Sequence, residues 1–194
     1  MSADVLARMT PDEYLAMDRA AEIKSEYHDG HVFAMAGGTV RHSRIANNVG
    51  RVLSEALDSR PCFVSNSDVR VGAKRKSYMY PDVSVACQEP EAEDDLDDIL
   101  LNPIVVVEVL SKSSEAYDRG FKFTRYRKID SLAEYVLVSP DEPLVEVFHR
   151  QPGGDWLLTV HEGLEAAVRL ESLDCSIPLS GIYQKINFPE SFLE

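Results

Sequence analysis

The stretch "NPIVVVEVLSKSS", residues 102–114, sets a run of aliphatic side chains around a single carboxylate, Glu108. It reads as a buried strand over 103–110. Strand side chains alternate between faces, so Ile104, Val106, Glu108 and Leu110 share one face and Val105, Val107 and Val109 the other. Glu108 therefore points into a layer it shares with three apolar residues. An unpaired carboxylate there costs several kcal/mol or takes up a proton. A salt bridge, a strand end open to water or a bound cation would each resolve this.

Working outward from that strand, Ser113 or Ser114 is positioned to cap a helix over roughly 115–129. "AEYVLVS" at 133–139 reads as the next strand, and the helix between the two predicts a parallel βαβ unit. "LVEVFHR", the turn "QPGGD" and "WLLTVHEG" form a hairpin, and the tail from 164 to 194 offers a strand near 167–173 with no clear closing element. Towards the N-terminus, "CFVSNSDVRVGA" and "SYMYPDVSVACQ" alternate with period two on either side of the basic "KRK", which predicts one hairpin. Ile45, Val49, Val52, Leu53, Ala56 and Leu57 form the apolar stripe of an amphipathic helix over 39–58. "SEYHDGHVFAMAGG" reads as two short strands about a His-Asp-Gly turn, in which Gly30 serves the turn, and Gly37 and Gly38 are likewise assigned to turns. Thr10, Pro11 and Glu13 spell a capping box and an early proline at the start of a short helix.

With 194 residues and 44% hydrophobic composition, the chain can bury one sizeable core, and residues 1–194 are expected to form one domain. No run approaches the ~18 apolar residues of a membrane span, and the N-terminus does not read as a signal peptide, so a cytoplasmic location is expected. Cys62, Cys87 and Cys175 lie far apart without CxxC spacing, and all three are expected to be reduced. The net charge of −13 argues against a surface that grips nucleic-acid phosphates over long range. Seven of the acids fall in "EPEAEDDLDD", 89–98, which is expected to be a solvated loop. Cations concentrate in "AKRKS", 73–77, and "DRGFKFTRYRK", 118–128, so a basic groove is compatible with the acidic whole.

A divalent cation would compensate Glu108 if a second acid stood close, since Mg²⁺ typically takes one or two carboxylates plus water and phosphate. Asp82 in "YMYPDVSVAC" begins an otherwise apolar strand suited to lie beside 103–110. Directly opposed side chains on neighbouring strands lie ~5 Å apart at Cβ. A hydrolytic site also needs a cation for the scissile phosphate. Lys122 offers one, with Asp118 one turn before it and Tyr126 one turn after. Taken alone, Asp118 and Lys122 also fit an ordinary i, i+4 helical pair.

"YPDVSVACQ", "PIVVVEVLSKSSEAYDRGFKFTRY" and "SLAEYVLVS", together with "KSEYHDGHVFAMAGGTVRHSRI", resemble the Uma2 family, a branch of the PD-(D/E)xK nuclease superfamily, over about residues 10–185. The resemblance implies an α/β (α+β mixed) fold: a restriction-endonuclease-like core with a mixed central β-sheet flanked by helices, here with an extra C-terminal β-hairpin. It implies cleavage of DNA with Mg²⁺ or Mn²⁺. Asp82 takes the family's "PD" aspartate and Glu108 its second acid. The lysine two positions later is absent, Leu110 standing there, and Lys122 is the expected substitute ahead of Lys112. Glu26 matches an early family acid, giving Asp82, Glu108 and Glu26 as the expected metal ligands. His42 matches a recurrent histidine suited to contact phosphate or relay a proton. Asp118 is expected to orient Lys122, and Ser111 to hydrogen-bond a ligand carboxylate.

The expected activity is thus a divalent-metal-dependent DNA endonuclease. Two alternatives stand beside it: a nuclease-fold binding or regulatory protein without turnover, and a hydrolase of a smaller phosphodiester, which the acidic surface would tolerate better. The habits of the fold favour a homodimer.

Overall fold

The computed structural model describes residues 8–35 and 37–189. Helix α1 (Pro11–Ala20) starts on the expected capping box, Glu13 N–H donating to Thr10 Oγ1 at 3.3 Å and Thr10 N–H to Glu13 Oε2 at 2.8 Å. Strands β1 (Ser25–His28) and β2 (His31–Ala34) pair antiparallel about Asp29 and Gly30. Both turn residues have positive φ, +46° and +94°, the conformation that glycine at the second position accommodates without strain. Helix α2 (Val40–Leu57) buries Ile45, Val49, Val52, Leu53 and Leu57, as the sequence stripe requires.

The single hairpin expected over 62–88 is instead two hairpins in two sheets. One arm divides into β3 (Cys62–Asn66) and β4 (Arg70–Ala73), the other into β5 (Ser77–Met79) and β6 (Val83–Cys87). β4 and β5 pair across the basic tip, whereas β3 and β6 pair with each other in a different sheet. Each break has a local cause. The Asn66 side chain accepts the Asp68 N–H at 3.0 Å and turns the first arm. Pro81 has no N–H for the ladder and ends pairing in the second, just before Asp82.

The remaining elements are β7 (Ile99–Leu100), β8 (Val105–Val109), a π-helical turn (Tyr117–Lys122) running into α3 (Phe123–Tyr126), β9 (Glu134–Val138), β10 (Leu144–Arg150), β11 (Trp156–Glu162), β12 (Ala167–Leu170), β13 (Cys175–Pro178) and α4 (Leu179–Ile182). β8 and β9 pair in parallel and β10 pairs antiparallel with β11, so the βαβ unit and the late hairpin have the expected form. In the tail, the strand expected near 167–173 is β12, and the closing elements that the sequence left unread are β13 and α4.

Two sheets carry most of the fold. The six-stranded mixed sheet has order β11-β10-β9-β8-β6-β3, and the five-stranded sheet has order β2-β1-β5-β4-β7. Val105, Val107 and Val109 face one core with α2, β13 and α4. Val106 and Leu110 face a second core with Tyr126, Tyr135 and the five-stranded sheet's Val71 and Met79. The alternation expected for this strand is therefore the division between two cores over 105–110, whereas Ile104 lies before β8 and packs against the first core instead of sharing the face of Val106 and Leu110. No helix among the described residues is long and apolar enough to cross a membrane.

Two further expectations, on the cysteines and on the helix after β8, are corrected, and the solvated loop at 89–98 is borne out with anchors the sequence did not show. Cys62 and Cys87 form a disulfide and only Cys175 is free, because β3–β6 pairing sets the two cysteines opposite each other across 25 residues of sequence. The acidic 89–98 segment is largely exposed, yet three of its acids are anchored: Asp94 and Asp98 to Arg19, Asp98 also to Arg70, and Glu93 to Arg75. The helix expected over 115–129 ends at Tyr126 and is π-helical through its middle. Its first turn is held by Ser111, whose Oγ accepts the Ser114 N–H at 3.1 Å, instead of by Ser113 or Ser114.

Candidate active site at the seam of two sheets

Glu108 is buried at 3% exposure, and its compensation is Lys122: Nζ donates to Glu108 Oε1 at 3.0 Å. The same ammonium lies 3.1 Å from Glu26 Oε1 and 3.8 Å from Asp118 Oδ1. β1 of the five-stranded sheet supplies Glu26, β8 of the six-stranded sheet supplies Glu108, and the crossover between β8 and β9 supplies Lys122. Of the expected site residues, Glu26, Glu108 and Asp118 thus meet at Lys122, at the seam of the two sheets.

The π-helical turn explains how the crossover reaches this point. Residues five apart in an α-helix point ~140° away from each other, whereas the wider π-turn brings them close to one face. Tyr117 and Lys122 therefore both turn inward. The Tyr117 hydroxyl donates to Glu26 Oε2 at 2.8 Å, and the Tyr80 N–H donates to Glu26 Oε1 at 3.1 Å. Because the Tyr117 proton is committed to Glu26, the 2.7 Å contact from His28 Nε2 to Tyr117 makes His28 the donor. Tyr126, one turn beyond Lys122, donates to Glu108 Oε1 at 3.2 Å.

The cluster holds three carboxylates against one ammonium. Burial pushes the Glu108 carboxyl well above its usual range, against the pull of Lys122, and Asp118, Asp82 and Glu26 add repulsion. Burial acts the same way on Glu26, but Lys122 and its hydrogen bonds outweigh it and hold this group at about 2. Burial raises Asp118 as well. Burial also disfavours the Lys122 ammonium, yet Glu108, Glu26 and Asp118 keep it well above the ordinary lysine value. The site is short of positive charge.

Asp82 stands at the rim. One further step of the β6–β8 register places it opposite Glu108, as the two strands' antiparallel pairing requires. Its Oδ2 accepts the Val109 N–H at 2.7 Å and its Oδ1 accepts from His42 Nε2 at 2.9 Å. That hydrogen bond raises the His42 pKa against the effect of burial. His42 Nδ1 is buried without a hydrogen-bond partner among the described residues. Gly38, assigned to a turn from sequence, also makes room for this ring, since a Cβ there would lie 3.1 Å from His42 Cδ2.

The residues fit a hard divalent cation in a limited sense. Carboxylate oxygens from Asp82 and Glu108 on one face of paired strands suit Mg²⁺ or Mn²⁺, which complete their shells with water and phosphate. The expected shell of Asp82, Glu108 and Glu26 together does not form. Among the described residues no three His, Cys, Asp or Glu side chains are grouped to hold an ion. Ser111 contacts no site carboxylate, because just past the strand end its hydroxyl turns to Ser113 and Ser114. Lys112 is exposed at the edge of the cleft, and Leu110 is buried in the core.

Tyr117 and His28 went unrecognised in the sequence. His28 carried a signal, since it lies two residues after Glu26 and so shares its strand face. Tyr117 carried none, because its spacing from Lys122 meets only in a π-turn.

The fold and the site define a class: a mixed α/β, restriction-endonuclease-like fold with carboxylates and a lysine converging where its sheets meet. The chain belongs to the Uma2 family, described as "Putative restriction endonuclease", whose family model matches residues 11–180. Two relatives come from Synechocystis sp. "Uncharacterized protein slr1290" is 34% identical over 93% of this chain and 94% of its own length. "Uncharacterized protein sll1609" is 37% identical over 82% of this chain and 91% of its own length. A crystal structure described as "a putative nuclease belonging to DUF820", from Anabaena variabilis, superposes with a TM-score of 0.73 at 20% identity, covering 90% of this chain and 97% of that one. The fold is shared with that protein.

Proposed function

We propose that this protein is a divalent-metal-dependent nuclease that cleaves DNA by phosphodiester hydrolysis. The observation that carries the reading is the buried Lys122–Glu108 pair in a cleft whose rim carries Asp82. Membership in the Uma2 family supports the reaction class. The cleft supports a polymer substrate, since its volume of about 1960 Å³ exceeds the ~300–1,000 Å³ of small-molecule pockets.

Asp82 and Glu108 would hold Mg²⁺ or Mn²⁺, which when bound supplies a Lewis acid for the phosphate and a water of lowered pKa. Lys122 fixes the Glu108 carboxylate and offers positive charge toward a scissile phosphate. Tyr117 and the Tyr80 N–H fix Glu26, which with Asp118 keeps Lys122 charged. His42, held on Asp82, is placed at the rim for a phosphate oxygen or a proton.

The test is incubation of the purified protein with supercoiled and single-stranded DNA in Mg²⁺ or Mn²⁺, beside Glu108→Ala and Lys122→Ala. Cleavage by the wild type alone is expected. Intact DNA in every lane at low salt would sink the proposal. A second reading, a nuclease-fold binding protein or a hydrolase of a smaller phosphodiester, is favoured by the charge distribution. The net charge is −13, and clustered cations are tied up, Arg75 with Asp12 and Glu93, Arg119 with Glu115 and Glu146. Turnover of a small phosphodiester by wild type with DNA left intact would select the smaller-substrate hydrolase, and DNA binding with no turnover of either substrate would select the binding protein.

A further inference from the structure

β11 forms one edge of the six-stranded sheet, and its outer backbone groups face no strand among the described residues. Proteins ordinarily blunt such an edge with short strands, proline or lysine. β11 spans seven residues, "WLLTVHE", without either. The other edges are shorter: β3 has five residues, β2 four and β7 two. The strand is also apolar on its surface, with Leu157, Leu158 and Val160 exposed at 54%, 43% and 48%.

The pattern of side chains identifies the occupant. An open ladder accepts another strand, and antiparallel pairing of two identical strands about a two-fold axis is self-complementary. With the axis at Thr159, Leu158 stands opposite the other copy's Val160, and both recur by symmetry, giving four apolar side chains on one face. That face already carries Phe148, paired with Leu158 across the sheet. Leu157 meets His161 on the opposite face, and Glu162 meets Trp156, so the acid never faces its own copy. We propose that β11 pairs with β11 of a second copy of this chain, joining the two six-stranded sheets into one continuous sheet. This pairing is independent of the nuclease reading, because β8 and the cleft lie three strands away.

Sedimentation equilibrium of the full chain is expected to give a dimer at micromolar concentration. Leu158→Lys combined with Val160→Lys is expected to give a monomer with unchanged far-ultraviolet circular dichroism. Because residues opposed on antiparallel strands sit ~4.5–5.5 Å apart at Cα, within disulfide reach, Thr159→Cys oxidised by diamide should run as a covalent dimer on a non-reducing gel. The wild type treated identically should not. A wild-type monomer at all concentrations, a dimer that survives both lysines, or a Thr159→Cys variant that fails to cross-link would each overturn the proposal.

Discussion

Glu26 and Glu108 belong to different sheets, and one ammonium joins them: Lys122 Nζ lies 3.1 Å from the first and 3.0 Å from the second. Removing the cation leaves buried carboxylates facing each other. Lys122→Met is expected to cost about 3–5 kcal/mol of stability, the range for breaking a buried ion pair from one side. Glu108→Gln should cost less, because the amide oxygen still accepts from Lys122 and Tyr126 and no charge is stranded. Urea unfolding of the two variants checks the order, and equal losses would contradict the assignment of Lys122 as the joint.

Tyr117→Phe keeps the ring and removes only the hydroxyl between His28 and Glu26. Glu26 Oε2 then loses a buried donor, and a loss of about 1–3 kcal/mol is expected. His28→Ala should weaken the effect of adding Tyr117→Phe, since the two residues act on Glu26 in series. A double-mutant cycle measures this, and strict additivity would refute it.

Metal binding to the native state should raise the melting midpoint. A concentration one hundred times Kd corresponds to about 2.7 kcal/mol. With Mn²⁺ against chelator, the wild type is expected to shift, and Asp82→Asn and Glu108→Gln are expected not to. A shift that persists in both variants would place the ion elsewhere.

Asp18 governs an acid-sensitive joint of α1 with the sheet behind it. Its burial alone would raise the carboxyl pKa, but hydrogen bonds from Tyr80, Ser25 and Arg70 lower it below the ordinary value. A depressed folded-state pKa means stability present above the unfolded value, ~3.9, and lost as pH falls through the folded value. Asp18→Asn should therefore be less stable than wild type at pH 7, with the gap closing below pH ~4. A gap of constant size across that range would remove Asp18 as the titrating group.

The Cys62–Cys87 disulfide closes a loop with a sequence separation of 25, worth about 3.5 kcal/mol in the chain-entropy account. Dithiothreitol should lower the urea midpoint accordingly. Unfolded without reductant, the protein should titrate one thiol, from Cys175. Three thiols at that stage would show that the bridge is absent.

What the sequence disclosed follows the range of the interactions. Alternation in 103–110 is a local property, and it located β8, its two faces and the exposed problem of Glu108. The sequence suggested that the strand after Asp82 could neighbour β8, but the antiparallel register that sets Asp82 opposite Glu108 is a property of the assembled sheet. Lys122 was legible by resemblance to the family, since its i, i+4 relation to Asp118 fits any surface helix. The rest depended on events the local pattern does not record. The arms 62–73 and 77–88 keep their period of two while changing sheets, so the Cys62–Cys87 register could not be read from spacing. Asp94 and Asp98 find Arg19 across more than 70 residues of chain. Ser111 looked like a partner for a carboxylate until the strand ended and its hydroxyl met the Ser114 N–H.

The seam also limits how such a protein can change over generations. Lys122 cannot be lost while Glu26 and Glu108 keep their carboxylates without an intermediate that buries bare charge, so the lysine should be given up last of the three. Asp82 and His42, at the water's edge, are free of that constraint. A descendant that gives up chemistry here has its easiest path through those two, and would carry the lysine intact long after it had stopped serving a reaction.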